Sequence, residues 1–138
     1  MSAQEPKPRL LLVDDSEDDV FFFKRTLERV KNQCSLHCAS NGEEAIQFLK
    51  EGSASVPPVL PSVVFLDLKM PIVNGFEVLE WLKHQQFGTQ LSVIVLSGSE
   101  SWQDKERAQQ LGAKQYLVKP IRVADLSPLL AEACPSEQ

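Results

Sequence analysis

Cysteine, histidine and tyrosine are scarce in this chain: its 138 residues hold three, two and one of them. Cys34, Cys38 and Cys134 form no Cys-x-x-Cys pair. Cys34 and Cys38 fall on one expected strand, roughly 13 Å apart at about 3.3 Å per residue, too far for a disulfide. A zinc site and a disulfide framework are therefore not expected, and the cysteines read as small buried or half-buried side chains. No apolar run approaches the ~18 residues of a membrane span. Met1 to Arg9 is polar and carries prolines, without the apolar core of a secretion signal. A cytoplasmic protein with no membrane partner is the expectation. There is no Lys/Arg cluster, and the formal net charge is −5, which argues against a nucleic-acid surface. No internal repeat, linker or low-complexity stretch divides the chain.

What is present is ordinary globular material, 43% hydrophobic and 24% charged, enough for one domain with a core of its own. The expected layout is a polar tail over 1–8, a domain over 9–133 and a tail over 134–138. Arg9 to Val13 is a short aliphatic strand. Ser16 and Asp19 have capping-box spacing, and Glu17, Asp18 and Asp19 suit a helix N-terminus. Val20, Phe23, Leu27 and Val30 then repeat at helical spacing. Phe21 and Phe22 belong to the core and its edge, off the centre of that stripe, with Phe22 pointing well away beside Thr26.

Cys34 to Ala39 reads as a second strand and Glu43 to Lys50 as a short helix. Glu51 to Ser62, with Gly, Ser and three prolines, reads as a loop. Val63 to Asp67 is the third strand, Gly75 to Gln86 a helix closed by Gly88, and Leu91 to Leu96 the fourth strand. Ser101 to Leu111 is a polar helix stopped by Gly112. Lys114 to Val118 is the fifth strand. Ile121 to Ala133 is the last helix; Pro128 inside that span allows a late start instead, with Ser127 as its cap.

Strand–helix alternation five times over predicts an α/β domain: a doubly wound parallel sheet covered by helices on both faces. In such sheets the binding crevice lies beyond the carboxyl ends of the strands. Asp14-Asp15, Asp67, Ser97 and Lys119 all fall at such ends. Three carboxylates drawn together repel one another, and a divalent cation relieves the conflict. An all-oxygen set without His or Cys favours Mg²⁺. An Asp beside Mg²⁺ is a competent nucleophile toward phosphorus. A lysine ammonium and a serine hydroxyl then offset charge on the phosphoryl oxygens.

Asp14-Asp15 after the first strand, Asp67-Leu68-Lys69-Met70-Pro71 with Gly75, Ser97-Gly98 and Lys119-Pro120 together resemble the receiver domain of two-component response regulators. The resemblance runs from about Arg9 to Ala133. It implies a flavodoxin-like sheet of strand order 2-1-3-4-5, with Asp67 as phosphoacceptor. It implies Mg²⁺ held by Asp15, Asp67 and the Lys69 backbone carbonyl, assisted by Asp14 through water. Lys119 would contact the phosphoryl group, ahead of a cis bond to Pro120. Ser97 and Tyr116 would form the switch pair, and Lys69 and Ser99 would influence the phosphoryl lifetime. The donor would be a sensor histidine kinase or phosphotransfer protein, docking near Phe22 and the first helix.

Such a protein is a signalling acceptor rather than an enzyme acting on other molecules. Without an attached output domain its output would be an unknown downstream protein, a homodimer or onward phosphotransfer. Trp102 and the fourth helix are either a solvated face or part of such an output surface. The 51–62 loop and the Asp-Asp-Ser-Glu-Asp-Asp opening further resemble stand-alone receivers paired with bacterial phytochrome kinases. Asn74 stands where the family often has Asp, a change a turn tolerates. Two rivals remain. A phosphatase with an Asp nucleophile commonly has a second acid two residues on, where this chain has Lys69. A phosphorylation-independent interaction module would not need Asp14, Asp15, Asp67 and Lys119.

Overall fold

The computed structural model describes residues 8–31 and 34–133. Ten main elements alternate along it: β1 (Arg9–Val13), α1 (Glu17–Glu28), β2 (Ser35–Ala39), α2 (Gly42–Ala54), β3 (Val63–Leu66), α3 (Gly75–Lys83), β4 (Ser92–Ser97), α4 (Trp102–Gln110), β5 (Gln115–Val118) and α5 (Val123–Ala133). All strand pairs are parallel, in the order β2-β1-β3-β4-β5. The α/β, doubly wound expectation and its strand order both hold.

Two apolar layers flank the sheet because strand side chains alternate between faces. Leu11, Val13, Val64, Leu66, Val93 and Val95 meet Ala45 and Leu49 of α2, Val78, Leu79 and Leu82 of α3, and Ala108 of α4. Leu10, Leu12, Val63, Phe65, Ile94 and Leu96 meet Phe23 and Leu27 of α1 and Leu126, Leu129 and Leu130 of α5. Phe23 and Phe65 anchor that second layer with ring centroids 4.9 Å apart. Among the described residues no helix is long and apolar enough to cross a membrane.

Several local expectations need correction. Helix α2 runs on to Ala54 instead of stopping at Lys50. The Ser53 and Ser55 hydroxyls donate to the Lys50 and Glu51 carbonyls, keeping polar groups of the last turn satisfied. Gly52 is there for a close approach: a Cβ would lie 2.1 Å from the Val59 carbonyl oxygen. Helix α5 runs from Val123 to Ala133 with Pro128 inside it, so the Ile121–Ala133 reading holds to within two residues and the late start falls. Asp125 accepts from the Arg122 backbone N–H at 3.2 Å and makes a two-point ion pair with its guanidinium, capping the helix before the proline is reached. Gly88 falls in a 3₁₀ turn over Gln86–Gln90. Cys34 precedes β2, so it does not share that strand with Cys38, though both cysteines are half-buried. Cys134 and both expected tails, except Pro8, lie outside the described residues. Phe21 and Phe22 are both exposed, at 56% and 61%, so neither is core. Phe21 lies about 200° round the helix from the buried Phe23.

Gly75, the first residue of α3, brings that helix against the chain at the end of β3. A Cβ there would stand 2.3 Å from the Asp67 carbonyl oxygen and 2.8 Å from Leu68 Cα. Gly75→Ala should cost roughly 1–3 kcal/mol, since backbone has to move to admit the methyl group. Urea unfolding measures this; an unchanged midpoint would show that the contact does not constrain the loop.

Candidate functional site

Asp14, Asp67 and Lys119 each stand one residue beyond a strand. Each has its backbone amide held by the neighbouring strand: Asp14 N–H donates to the Ala39 carbonyl at 3.0 Å, Asp67 to Val13 at 3.0 Å and Lys119 to Ser97 at 2.8 Å. The sheet ladder thus continues one step past β1, β3 and β5 and fixes where these side chains begin. Lys119 starts two strands from β3, close to 10 Å at the usual spacing. A long side chain is needed to cross that gap.

It does cross. Lys119 Nζ lies 2.8 Å from Asp14 Oδ2, 2.6 Å from Asp19 Oδ2 and 3.7 Å from Asp67 Oδ2. Carboxylate oxygens of Asp14, Asp15 and Asp67 lie within 4.8 Å of one another. Asp14 and Asp67 are buried, at 3% and 7% exposure, while Asp15 opens to solvent. Burial pushes the Asp67 carboxyl up to about 6; Lys119 and the Lys69 backbone amide pull it down, and Asp14 and Asp15 raise it further. Burial alone would lower Lys119, but hydrogen bonds to Asp14 and Asp19 outweigh that and raise it.

This donor set fits a hard divalent cation. Asp14, Asp19 and Asp67 face one ammonium, Asp15 joins Asp14 and Asp67, and every side-chain donor is a carboxylate oxygen. Lys69, exposed and two residues after Asp67, brings a backbone carbonyl to the same loop. That loop is pinned at its far end by Gly75 N–H on the Leu68 carbonyl at 3.0 Å and by a full capping box between Asn74 and Glu77. Asn74 therefore serves as the N-cap of α3, a role the turn reading did not include. Within the loop Ile72 takes a φ of 68° and is 73% exposed, a left-handed conformation that is strained for a β-branched residue.

Ser97 and Tyr116 are not hydrogen-bonded to each other; Ser99 joins them. Ser99 N–H donates to Ser97 Oγ at 3.1 Å, and Tyr116 OH donates to the Ser99 carbonyl at 2.9 Å. Ser99 Oγ donates to Asp104 Oδ2 at 2.8 Å, linking the same residue to α4. Ser97 is 1% exposed and Tyr116 half-buried, with Lys105 Nζ 5.9 Å from its ring centroid. The residue that sequence reasoning missed is Asp19. Its capping-box spacing offered a sufficient explanation, and nothing local in the sequence signals an ion pair to a lysine one hundred residues away.

A family model of the response regulator receiver domain matches residues 10–131. The probable methanogenesis regulatory protein FilR2 of Methanothrix harundinacea (strain 6Ac) is 32% identical over 125 residues, covering 89% of this chain and 79% of that protein. The bacteriophytochrome response regulator AtBRR has a solved structure with a TM-score of 0.80 and 29% identity, covering 97% of each chain. The Mn(2+)-bound form of response regulator Rcp1 gives 0.77 and 26%, covering 96% of this chain and 98% of that one.

The raised Asp67 carboxyl sets a stability signature in metal-free protein. Between its ordinary value of 3.8 and about 6, the folded state holds a proton that the unfolded state has lost. Stability therefore falls as pH rises through that window, and the penalty is complete above it. In EDTA at pH 7, Asp67→Asn should be more stable than wild type by on the order of 1–3 kcal/mol. The gap should close as pH falls toward 4. Urea unfolding of the pair across pH 4–7 measures it; a variant less stable at pH 7 would contradict the electrostatic picture.

Proposed function

The chain belongs to the response regulator receiver family, and from that footing we propose that it is a phosphoacceptor whose acceptor is Asp67. The observation that carries this reading is the convergence of buried Asp67 with Asp14 and Asp15, with the Lys119 ammonium 3.7 Å away. A carboxylate oxygen of Asp67 attacks phosphorus of a phosphohistidine. The P–N bond breaks, its electron pair stays on the imidazole nitrogen, and an aspartyl phosphate remains. Hydrolysis returns the P–O electron pair to Asp67 and gives inorganic phosphate. In this reading the chain catalyses only its own phosphorylation and dephosphorylation.

Asp14, Asp15, Asp67 and the Lys69 backbone carbonyl would hold Mg²⁺, which supplies positive charge against the phosphoryl oxygens. Lys119 supplies a second, fixed positive charge. The Ser97 hydroxyl donates to a phosphoryl oxygen. Doing so alters its bond with Ser99 N–H, and through the Ser99 carbonyl the change reaches Tyr116 and the α4–β5 surface. Trp102, 67% exposed at the start of α4, belongs to that surface, which serves a downstream protein or a second copy of this chain.

The unit that acts is residues 9–133, in a cytoplasmic setting. The phosphoryl donor is a sensor histidine kinase or phosphotransfer protein. AtBRR's description as a bacteriophytochrome response regulator supports a phytochrome-type sensor as that kinase. Phe21 and Phe22 form an exposed edge-to-face pair on α1, 6.4 Å between centroids, and Phe22 offers the kinase an apolar contact.

Incubation with acetyl phosphate and Mg²⁺ should add one phosphoryl group to the intact mass, with EDTA or Asp67→Asn abolishing the gain. Acetate then leaves in place of imidazole. No gain in wild type, with no beryllofluoride complex either, would favour a phosphorylation-independent interaction module. Phe22→Ala should slow transfer from the cognate kinase about tenfold, the scale of one truncated anchor residue. Transfer at the wild-type rate would remove Phe22 from the docking surface.

A further inference from the structure

Asp19 occupies the third position of α1, where a capping box directs the acid back to the N-cap amide. Only half of that box is made. Ser16 Oγ accepts from Asp19 N–H at 3.2 Å, but the Ser16 N–H is taken by Asp14 Oδ1 at 2.9 Å. The Asp19 carboxylate is thereby released from capping and turns to Lys119 Nζ, at 2.6 Å. This is shorter than the ammonium's contact with Asp14 and more than an ångström shorter than its 3.7 Å contact with Asp67. Asp19 is not among the carboxylates clustered for a cation, which are Asp14, Asp15 and Asp67. Its place in the pocket is beside the lysine.

We propose that Asp19 is a positioning residue that holds the Lys119 ammonium on the α1 side of the pocket, so that a phosphoryl group on Asp67 competes with Asp19 for it. The inference rests on the phosphoacceptor reading and deepens it. An ammonium has three N–H donors; Asp14 and Asp19 engage it at hydrogen-bond distance, while Asp67 stands farther off. Phosphoryl oxygens gain Lys119 at the expense of its weakest-anchored partner. Asp14 is 2% exposed at its side chain and also bound to Ser16, whereas the Asp19 side chain is 39% exposed and can turn to water. Asp19 thus weakens the phosphorylated state relative to the resting one, without touching the acceptor.

Beryllofluoride, a phosphoryl mimic, titrated calorimetrically in Mg²⁺ tests this in wild type, Asp19→Asn, Asp19→Glu and Asp18→Asn. Asp18→Asn removes the same charge from the same helical turn, but Asp18 is exposed and outside the Lys119 ion pairs. Asp19→Asn should bind roughly two- to fivefold tighter than wild type, the range expected of a half-exposed ion pair. Asp19→Glu should restore wild-type affinity, and Asp18→Asn should stay close to it. Equal affinities in Asp19→Asn and Asp18→Asn would overturn the proposal and leave the acceptor reading standing, as would weaker binding by Asp19→Asn. No binding by wild type would overturn the acceptor reading and this inference with it. In metal-free protein the Lys119 side-chain ¹⁵N resonance should move in Asp19→Asn and not in Asp18→Asn. An unmoved resonance would overturn the ion pair itself.

Discussion

Crowding of like charge at one edge of the sheet is the constraint on which the rest depends. Asp14, Asp15 and Asp67 lie close enough to share one cation, and two of the three are buried. Such a group is stable only with compensating positive charge, and Lys119 supplies it from the far side of β4. The pocket is therefore electrostatically under-filled by design of its parts: one ammonium is not enough for the acids around it. That shortfall makes a divalent cation welcome, and makes the position of a single lysine matter to every state of the site.

The parallel sheet makes this crowding possible. Carboxyl ends of all the strands point one way, so residues far apart in sequence emerge on one edge. Apolar layers on both faces hold the strands rigidly, and Gly75 lets α3 press on the chain at Asp67 closely enough to fix the loop that follows. Ser97 at the end of β4 and the Ser99 backbone join the edge of the pocket to Tyr116 by two hydrogen bonds.

Most of this was legible in the amino-acid sequence because apolar periodicity and strand-end polar residues are local signals. The strand–helix order and the convergence of Asp14, Asp15, Asp67 and Lys119 could be read from them. What escaped depended on tertiary contact. Gly52 and Ser53 have loop composition, yet the helix continues because its carbonyls are satisfied and Val59 needs the space a side chain would take. Pro128 left a late start open for the last helix, and the Asp125 cap on Arg122 N–H decides for the early one. Asp19 had a complete local explanation as a helix acid, and only the fold shows that Asp14 has displaced it from that work. Phe21 is the exception: it was assigned to the core although its angular position on α1, itself readable from helical spacing, puts it in solvent.

The hydrogen bonds that carry the pocket beyond the strands run between main-chain atoms: Asp14 to Ala39, Asp67 to Val13, Lys119 to Ser97. Any residue other than proline makes them equally well. The scaffold is therefore indifferent to which side chains stand at these three points. A lineage of this chain that lost its acids would keep its shape and its surfaces, and natural selection could retain it as a binding part long after the chemistry had gone.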